Sequence, residues 1–457
     1  MNNTSPGRNS PVLISRMGVL HLVLLLAFSL CNNCRPIGAT FTGLGAAPGD
    51  KFSQAWAVSD DGRVVVGSSY VALRCQAFRW TVAEGMVGLG VLPGCSNSLA
   101  KAVSSDGSTV VGISYSDPPH HAFRWTAASG MVDLGVLPGS SDSEAVAVSS
   151  NGLVVAGDCF RKLAGFRWTA ATGMVGLGFL TNYFGSQAQG ISSDGSVIVG
   201  RCHSDSGAEA YRWTKAGGML GLGPCSGGTL GTPVFVSDDG SVVVSTGISS
   251  STNALPYRWT AAKGMEWLGT APEYTMNVAT AMSSDGTVVV GYTESDAFSQ
   301  AFRCAAGTGL VSLGSIDPAT GRTDNTYGIR NRRIPPRVID RGPDGELRGN
   351  KILGPKVDTV AQSVSADGSI IVGRIGSEEV GKFFVWDRTN QMRELEYVLT
   401  HDYKVDLAGW KLEGERVRVS ADAKTIVGDG MHNGHVEAWV VHLDKSVNAP
   451  VAKGPGK

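Results

Sequence analysis

Charge is scarce in this chain. Only 17% of its 457 residues are Asp, Glu, Lys or Arg, against 42% hydrophobic residues and 61 glycines. The 39 basic and 40 acidic side chains leave a net charge of −1, which gives no global attraction for nucleic acid or an anionic membrane. Beyond residue 30 no apolar run is long enough to span a bilayer, so no membrane span is expected in the mature chain. Cys-x-x-Cys occurs only at Cys31 and Cys34, and no paired Cys/His spacing of the zinc kind follows. There is no Gly-x-Ser-x-Gly elbow, P-loop, His-Glu-x-x-His or dinucleotide loop after a strand. No catalytic residue, metal ligand or cofactor is therefore assigned. A carboxylate pair for sugar hydrolysis assembles from distant loops and leaves no local signature, so that chemistry stays open.

The first 39 residues read as an export signal. Arg8 and Arg16 form a basic start, Met17 to Leu30 is apolar, and Ile37-Gly38-Ala39 ends in a small-residue cleavage site. An uncleaved anchor is the alternative. The expected location is outside the cytoplasm: secreted, at the cell surface or periplasmic. Six cysteines then remain (Cys75, Cys95, Cys159, Cys202, Cys225 and Cys304), at positions that do not recur with any period. They are expected to be buried thiols or one or two local bridges rather than a framework.

What the chain has in abundance is a repeat. Eight serine-led tips begin at Ser59, Ser104, Ser149, Ser192, Ser237, Ser283, Ser365 and Ser420, each followed by a Val/Ile run. The tip glycines Gly62, Gly107, Gly152, Gly195, Gly240 and Gly286 are 45, 45, 43, 45 and 46 residues apart; Gly368 follows 82 later, and Ala423 stands in the eighth copy. Asp-Gly between β-favouring runs predicts a two-residue hairpin of type I′. Each full unit adds an alternating segment such as Ala55-Trp56-Ala57-Val58, an aromatic-Arg-Trp strand such as Phe78-Arg79-Trp80, and a Gly-Met…Leu-Gly strand. Both rings of Phe-Arg-Trp face one side of a sheet and Arg the other, where it is expected to stack on aromatics or pair with a neighbouring acid. Thr-Ala-Ala-x-Gly predicts a second hairpin with Gly in the left-handed region.

Four short antiparallel strands in about 45 residues make one propeller blade. The predicted fold is all-β, a β-propeller of eight four-stranded blades, with seven as the alternative because the late copies are irregular. Phe41-Thr42-Gly43-Leu44-Gly45 is a Leu-Gly strand without a preceding copy, and Glu437-Ala438-Trp439-Val440-Val441 lacks one after it. Pairing these ends closes the ring and removes both exposed edges. The propeller is placed at 40–443, with an insertion at 315–359 and a disordered tail at 444–457. The insertion is expected to be a surface loop, with a binding flap or degenerate blade as alternatives. Met392, Leu395, Val398 and Leu399 have helical spacing and predict a short helix.

His121-Ala122-Phe123-Arg124-Trp125, Gly130-Met131, Leu134-Gly135 and the Ser-x-Asp-Gly tip together resemble the HAF-type extracellular repeat family over about 41–443. At the level of fold the pattern is similar to Kelch-like blades. The resemblance implies an exported bacterial repeat protein and brings no agreed catalytic residues. Ser245 for Gly, Cys304 for Trp, Asn151 for Asp and Ala423 for Gly depart from the pattern.

In a four-stranded antiparallel blade alternate connections share a side, so the repeated turns lie on one face and the variable loops on the other. Binding is expected on the variable face. The candidate residues there are Arg74, His120, His121, Arg161, His203, Asp205, Arg330, Arg332, Arg333, His432 and His435. His120 and His121 suggest a metal, but neighbours on a strand point oppositely. The tip acids Asp61, Asp106, Asp194, Asp239 and Asp285 suggest calcium, yet each tip offers too few oxygens, and a turn role is expected. Asp158 and Arg201, and Arg374 and Asp429, occupy one slot in neighbouring blades and are candidate ion pairs. The expected function is non-catalytic binding of an extracellular polymer or surface protein by a monomer. The alternative is a propeller hydrolase or lyase acting on extracellular glycans.

Overall fold

The computed structural model describes residues 38–444 except 73, 118, 161–163, 206, 226–233, 249–253, 270–275, 295–298, 306–307, 318–321, 325–357 and 377–380. Residues 1–37 of the expected export signal, Arg161, Arg330, Arg332, Arg333 and almost all of the tail lie outside the described residues. The chain is an eight-bladed β-propeller. Blades 1 to 7 occupy 52–88, 97–133, 144–176, 185–225, 235–267, 276–312 and 359–394. Blade 8 takes 417–443 and is completed by β1 (Ala39–Gly43), which pairs antiparallel with His435–Leu443 from Ala39↔Leu443 to Gly43↔Trp439. The first and last strands of the fold are thus zipped together, and the count is eight rather than seven.

The hairpin between the first two strands of a blade explains the repeated serine, acid and glycine. Ser59 Oγ donates to Asp61 Oδ1 at 2.7 Å, and the same oxygen accepts the Arg63 N–H at 3.0 Å. Gly62 N–H donates to Ser59 O across a turn in which only Gly62 has positive φ, +71°. The turn is therefore type I followed by a left-handed glycine, not the expected type I′, which needs two left-handed residues. Asn151 substitutes in blade 3 by offering its Oδ1 to Ser149 at 2.8 Å. The tip acids are turn-builders whose oxygens already hold hydrogen-bond donors.

Neighbouring tips are joined around the axis. Asp60, Ser105, Ser150, Ser193, Asp238, Ser284 and Ala366 each donate their N–H to the carbonyl of the equivalent residue in the next blade. Asp422 N–H to Asp60 O completes a circle of eight bonds of 2.8–3.2 Å, displaced by one residue at the seam. The repeated Arg also joins blades. Arg79, Arg124 and Arg212 donate Nε to the carbonyls of Gly107, Gly152 and Gly240, the tip glycines of the following blades, at 3.0–3.2 Å. That role replaces the expected pairing with an acid, although Arg79 also meets Glu84 of its own blade at 2.8 Å. A serine nine residues before the tip glycine adds a third joint. Ser98 Oγ accepts Ala77 N–H of the preceding blade and donates to Gly90 O, and Ser143 and Ser186 repeat the arrangement.

Between blades the core is apolar. Phe78, Phe123, Phe166, Tyr211, Tyr257, Phe302 and Phe384 are fully buried. In blades 1, 3, 4, 6 and 7 the aromatic ring lies across the glycine that ends the Val run: a Cβ on Gly67 would sit 2.0 Å from Gln54 O and 2.8 Å from the Phe78 ring. Blade 5 carries Ser245 in this slot, and its first strand pairs over only two residues, Phe235–Val236.

The insertion is not wholly loop. Ser315–Asp317 and Arg322–Asp324 form a hairpin that extends the outer edge of blade 7 through Arg322↔Arg393, with Ile316 buried beside Phe384 and Met392. The remainder of the insertion, residues 325–357, lies outside the described residues. Leu395–Tyr397 forms a helical turn, α1, prolonged by a wider turn over Val398–Asp402 that buries Val398 and Leu399. Met392 instead ends on the outer strand of blade 7. Cys75, Cys95, Cys159, Cys202 and Cys304 are free thiols, and burial pushes Cys202 up to about 11.

Candidate functional site

The innermost strand of most blades carries an extra residue. The ladder slips between Ala55 and Ala57, Ala100 and Ala102, Ala145 and Ala147, Ala188 and Gly190, Ala279 and Ala281, and Ala361 and Ser363. The unpaired residues are Trp56, Lys101, Val146, Gln189, Thr280 and Gln362. A bulge re-aims its side chain, and here several reach the next blade's first strand. Gln189 Oε1 accepts Val234 N–H at 3.0 Å, and Thr280 Oγ1 donates to Ala361 O at 2.6 Å. Gln362 is held at both ends, accepting Val417 N–H at 2.9 Å and donating to Glu415 O at 2.8 Å.

At blade 1 the bulged residue is an indole. Arg416 of the stretch leading into blade 8 lies 4.0 Å from the Trp56 ring centre, and Lys101 of blade 2 lies 5.1 Å from it. Lys101 continues to Glu144 of blade 3 at 2.9 Å. A line of cation, indole, cation and carboxylate therefore runs through four successive blades.

Beside this line is a cavity of about 500 Å³ among the inner strands of blades 6, 7 and 8. Among the described residues, Arg374, Arg416 and Arg418 line it with Glu415, Thr280, Gln362 and the apolar Val360. The walls are fixed. Arg418 Nη1 donates to Gln362 O and Val417 O at 3.2 Å. Burial, reinforced by the charge of Arg416, lowers Arg418 to about 10, so it remains a cation at neutral pH. Asp429, 3% exposed, accepts the N–H groups of Glu415 and Arg416 at 3.1 and 3.3 Å and so orients the stretch bearing both. Burial raises its pKa against the opposing effect of those donors.

The expected loop residues lie elsewhere and find partners within their own blades. His121 Nδ1 meets Asp133 at 2.7 Å, whereas His120 stands edge-on to Tyr115 at 5.7 Å. His203 Nε2 meets Gln187 Oε1 at 2.9 Å, and burial lowers its pKa. His432 stacks on Trp410 at 4.4 Å, holds Glu437 at 2.7 Å, and faces the exposed His435 only through the backbone register. Arg74 and Asp205 are exposed. Among the described residues no group of three or more His, Cys, Asp or Glu is arranged to hold a metal ion. Of the slot residues, Asp158 Oδ1 accepts Ala188 N–H of blade 4 at 2.6 Å, while Arg201 directs Nε and Nη2 to Gln187. The axial residues were overlooked because they share a phase six before the tip glycine but differ in chemistry. That disagreement within a fixed frame was the available signal.

No known family model matches this sequence, and no curated protein matches it. Solved structures do. The chain is similar to the Dos1 propeller (12% identity, 88% of this chain and 94% of that one, TM-score 0.49). It is similar to TolB from Acinetobacter baumannii (14% identity, 73% and 79%, TM-score 0.37). It is also similar to an oligogalacturonate lyase in complex with manganese (12% identity, 90% and 97%, TM-score 0.42). Among the described residues no helix is long and apolar enough to cross a membrane.

Proposed function

We propose that this protein is an exported, non-catalytic propeller that binds an extracellular polymer or a surface protein at the inner ends of its blades. The observation that carries the reading is the cavity bordered by Arg374, Arg416 and Arg418, a concave polar site within a rigid ring. The basic, apolar and small-residue succession of residues 1–39 supports export. The repeat signature supports a bacterial extracellular protein of the HAF-repeat kind, acting as a monomer. Among the described residues that border the cavity there is no histidine and one carboxylate, Glu415, with Arg416 3.8 Å away, which favours holding a ligand over acid-base turnover. The test pairs a glycan array with a polysaccharide-degradation assay on the mature chain. Binding without new reducing or unsaturated ends is expected; release of such ends would overturn the non-catalytic reading.

A further inference from the structure

We infer that Asn433 is a site of spontaneous covalent modification in the folded protein, its side-chain amide converted to a carboxylate through attack by the Gly434 nitrogen, while the chain's other Asn-Gly pair is held inert. The inference is independent of the binding role proposed above. Asn-Gly favours this cyclisation because glycine has no Cβ to obstruct its own nitrogen and leaves the backbone free to turn. The pair occurs twice, at 151–152 and 433–434, and the fold treats the two copies oppositely.

Asn433 and Gly434 are the two-residue connection between His432 and His435, with φ of +49° and +87°. Two left-handed residues make this a type I′ turn. Both are exposed, and nothing lies within 4 Å of the place that a Cβ on Gly434 would take, so the peptide between them has room to rotate. Asn433 N–H donates to Gly409 O at 3.1 Å. His432 gives its Nδ1 hydrogen to Glu437 at 2.7 Å, which leaves Nε2 to accept from Asn433 Nδ2 at 3.1 Å. Neither bond of Asn433 uses the Gly434 nitrogen or the Asn433 side-chain oxygen. At the tip of blade 3 both groups are spent. Asn151 Oδ1 accepts Ser149 Oγ at 2.8 Å and Leu153 N–H at 3.0 Å, and Gly152 N–H donates to Ser149 O at 2.8 Å. Gly152 is also buried, against Thr109. Reaction there requires the tip to open first.

In the reaction the Gly434 nitrogen bonds to Asn433 Cγ, the Cγ–Nδ2 bond breaks, and ammonia leaves with the proton that Gly434 gives up. Water then opens the succinimide at either carbonyl, giving aspartate or isoaspartate. In the aspartate product a carboxylate replaces the amide beside His432; in isoaspartate the turn gains a backbone carbon.

The experiment keeps the mature protein in mildly alkaline buffer, folded in one sample and unfolded in guanidinium chloride in another, and follows tryptic peptides by mass spectrometry. Asn433 and Asn151 are the only amide side chains in peptides 425–445 and 125–161, so the mass gained when NH2 becomes OH reports each site. In the folded protein Asn433 is expected to react about tenfold or more faster than Asn151, since each hydrogen bond broken before attack slows it several-fold. In the unfolded chain the two rates are expected to be similar. Ser149→Ala, first checked for a cooperative melt, releases Asn151 Oδ1 and is expected to speed reaction at Asn151 by about fivefold with Asn433 unchanged. An unreactive Asn433 in the folded protein, equal folded rates, faster loss at Asn151, the same preference in the unfolded chain, or no gain at Asn151 in folded Ser149→Ala would each overturn the inference.

Discussion

Ser53 Oγ accepts the amide hydrogen of Ala438 at 3.0 Å, joining residues 385 positions apart. The same hydroxyl donates to Gly45 O, so one serine grips both strands that meet at the seam. Beside it, Glu437 Oε1 accepts Gly45 N–H at 2.9 Å. The seam thus reuses the joint that Ser98, Ser143 and Ser186 make between consecutive blades.

Replacing Ser53 with Ala leaves a buried amide without its partner and is expected to cost about 1–3 kcal/mol. Thermal denaturation of Ser53→Ala should show a lower midpoint and faster unfolding. An unchanged melt would mean that the seam does not limit stability.

Ala423 holds φ +61° where the other tips have glycine. A left-handed alanine costs on the order of 1–2 kcal/mol, so Ala423→Gly is expected to stabilise the fold by about 1 kcal/mol after the loss of its small buried contact. The converse change, Gly62→Ala, places a Cβ 2.0 Å from Thr425 Oγ1 and is expected to destabilise. Chemical denaturation of the two variants should move in opposite directions.

Burial raises the Asp158 carboxyl to about 8, opposed by the Ala188 N–H it accepts. The unfolded chain loses this proton near pH 4, whereas the folded chain keeps it until about pH 8. Its contribution to stability is therefore greatest below the unfolded pKa, declines as pH rises from 4 towards 8, and levels off above. The total is on the order of a few kcal/mol. Asp158→Asn is expected to flatten that slope and to melt higher than the native chain at pH 8. Parallel pH–stability curves for the two proteins would contradict it.

Trp56→Ala removes the platform beneath Arg416 and Lys101. Cation–π contacts of about 0.5–2 kcal/mol predict a fold less stable by about that much, and by less for Trp56→Phe. Chemical denaturation gives the difference; equal midpoints for the native and Ala proteins would mean that the ring does not support the two cations.

Much of the architecture was legible in the sequence because its signals recur in phase. Phe-Arg-Trp placed a strand in blade after blade, and Phe41 to Gly45 was recognisable as the strand that the last unit lacked. The turn type was not legible, since Asp-Gly is compatible with either sign of φ at the aspartate. Nor was the bulge at Trp56: an extra residue present in most copies leaves the period unchanged. The short hairpin at Ser315–Asp317 has too few residues to carry an alternation of its own. The site was misplaced for a related reason. Titratable loop residues such as His121 and His203 stand out by composition, yet they settle on Asp133 and Gln187. The inward cations Arg416 and Arg418 lie in the most divergent copy, where no repeat marks their direction.

The eight tip amides point one after another around the axis. Dipoles laid head to tail on a circle sum to nearly zero, unlike those of a helix, which add along its length. The backbone therefore lends the axis little polarity of its own. Its sign is written by a few inward side chains, and exchanging Lys101, Arg374 or Arg416 for neutral or acidic residues would redraw it while the girdle of amides stays as it is.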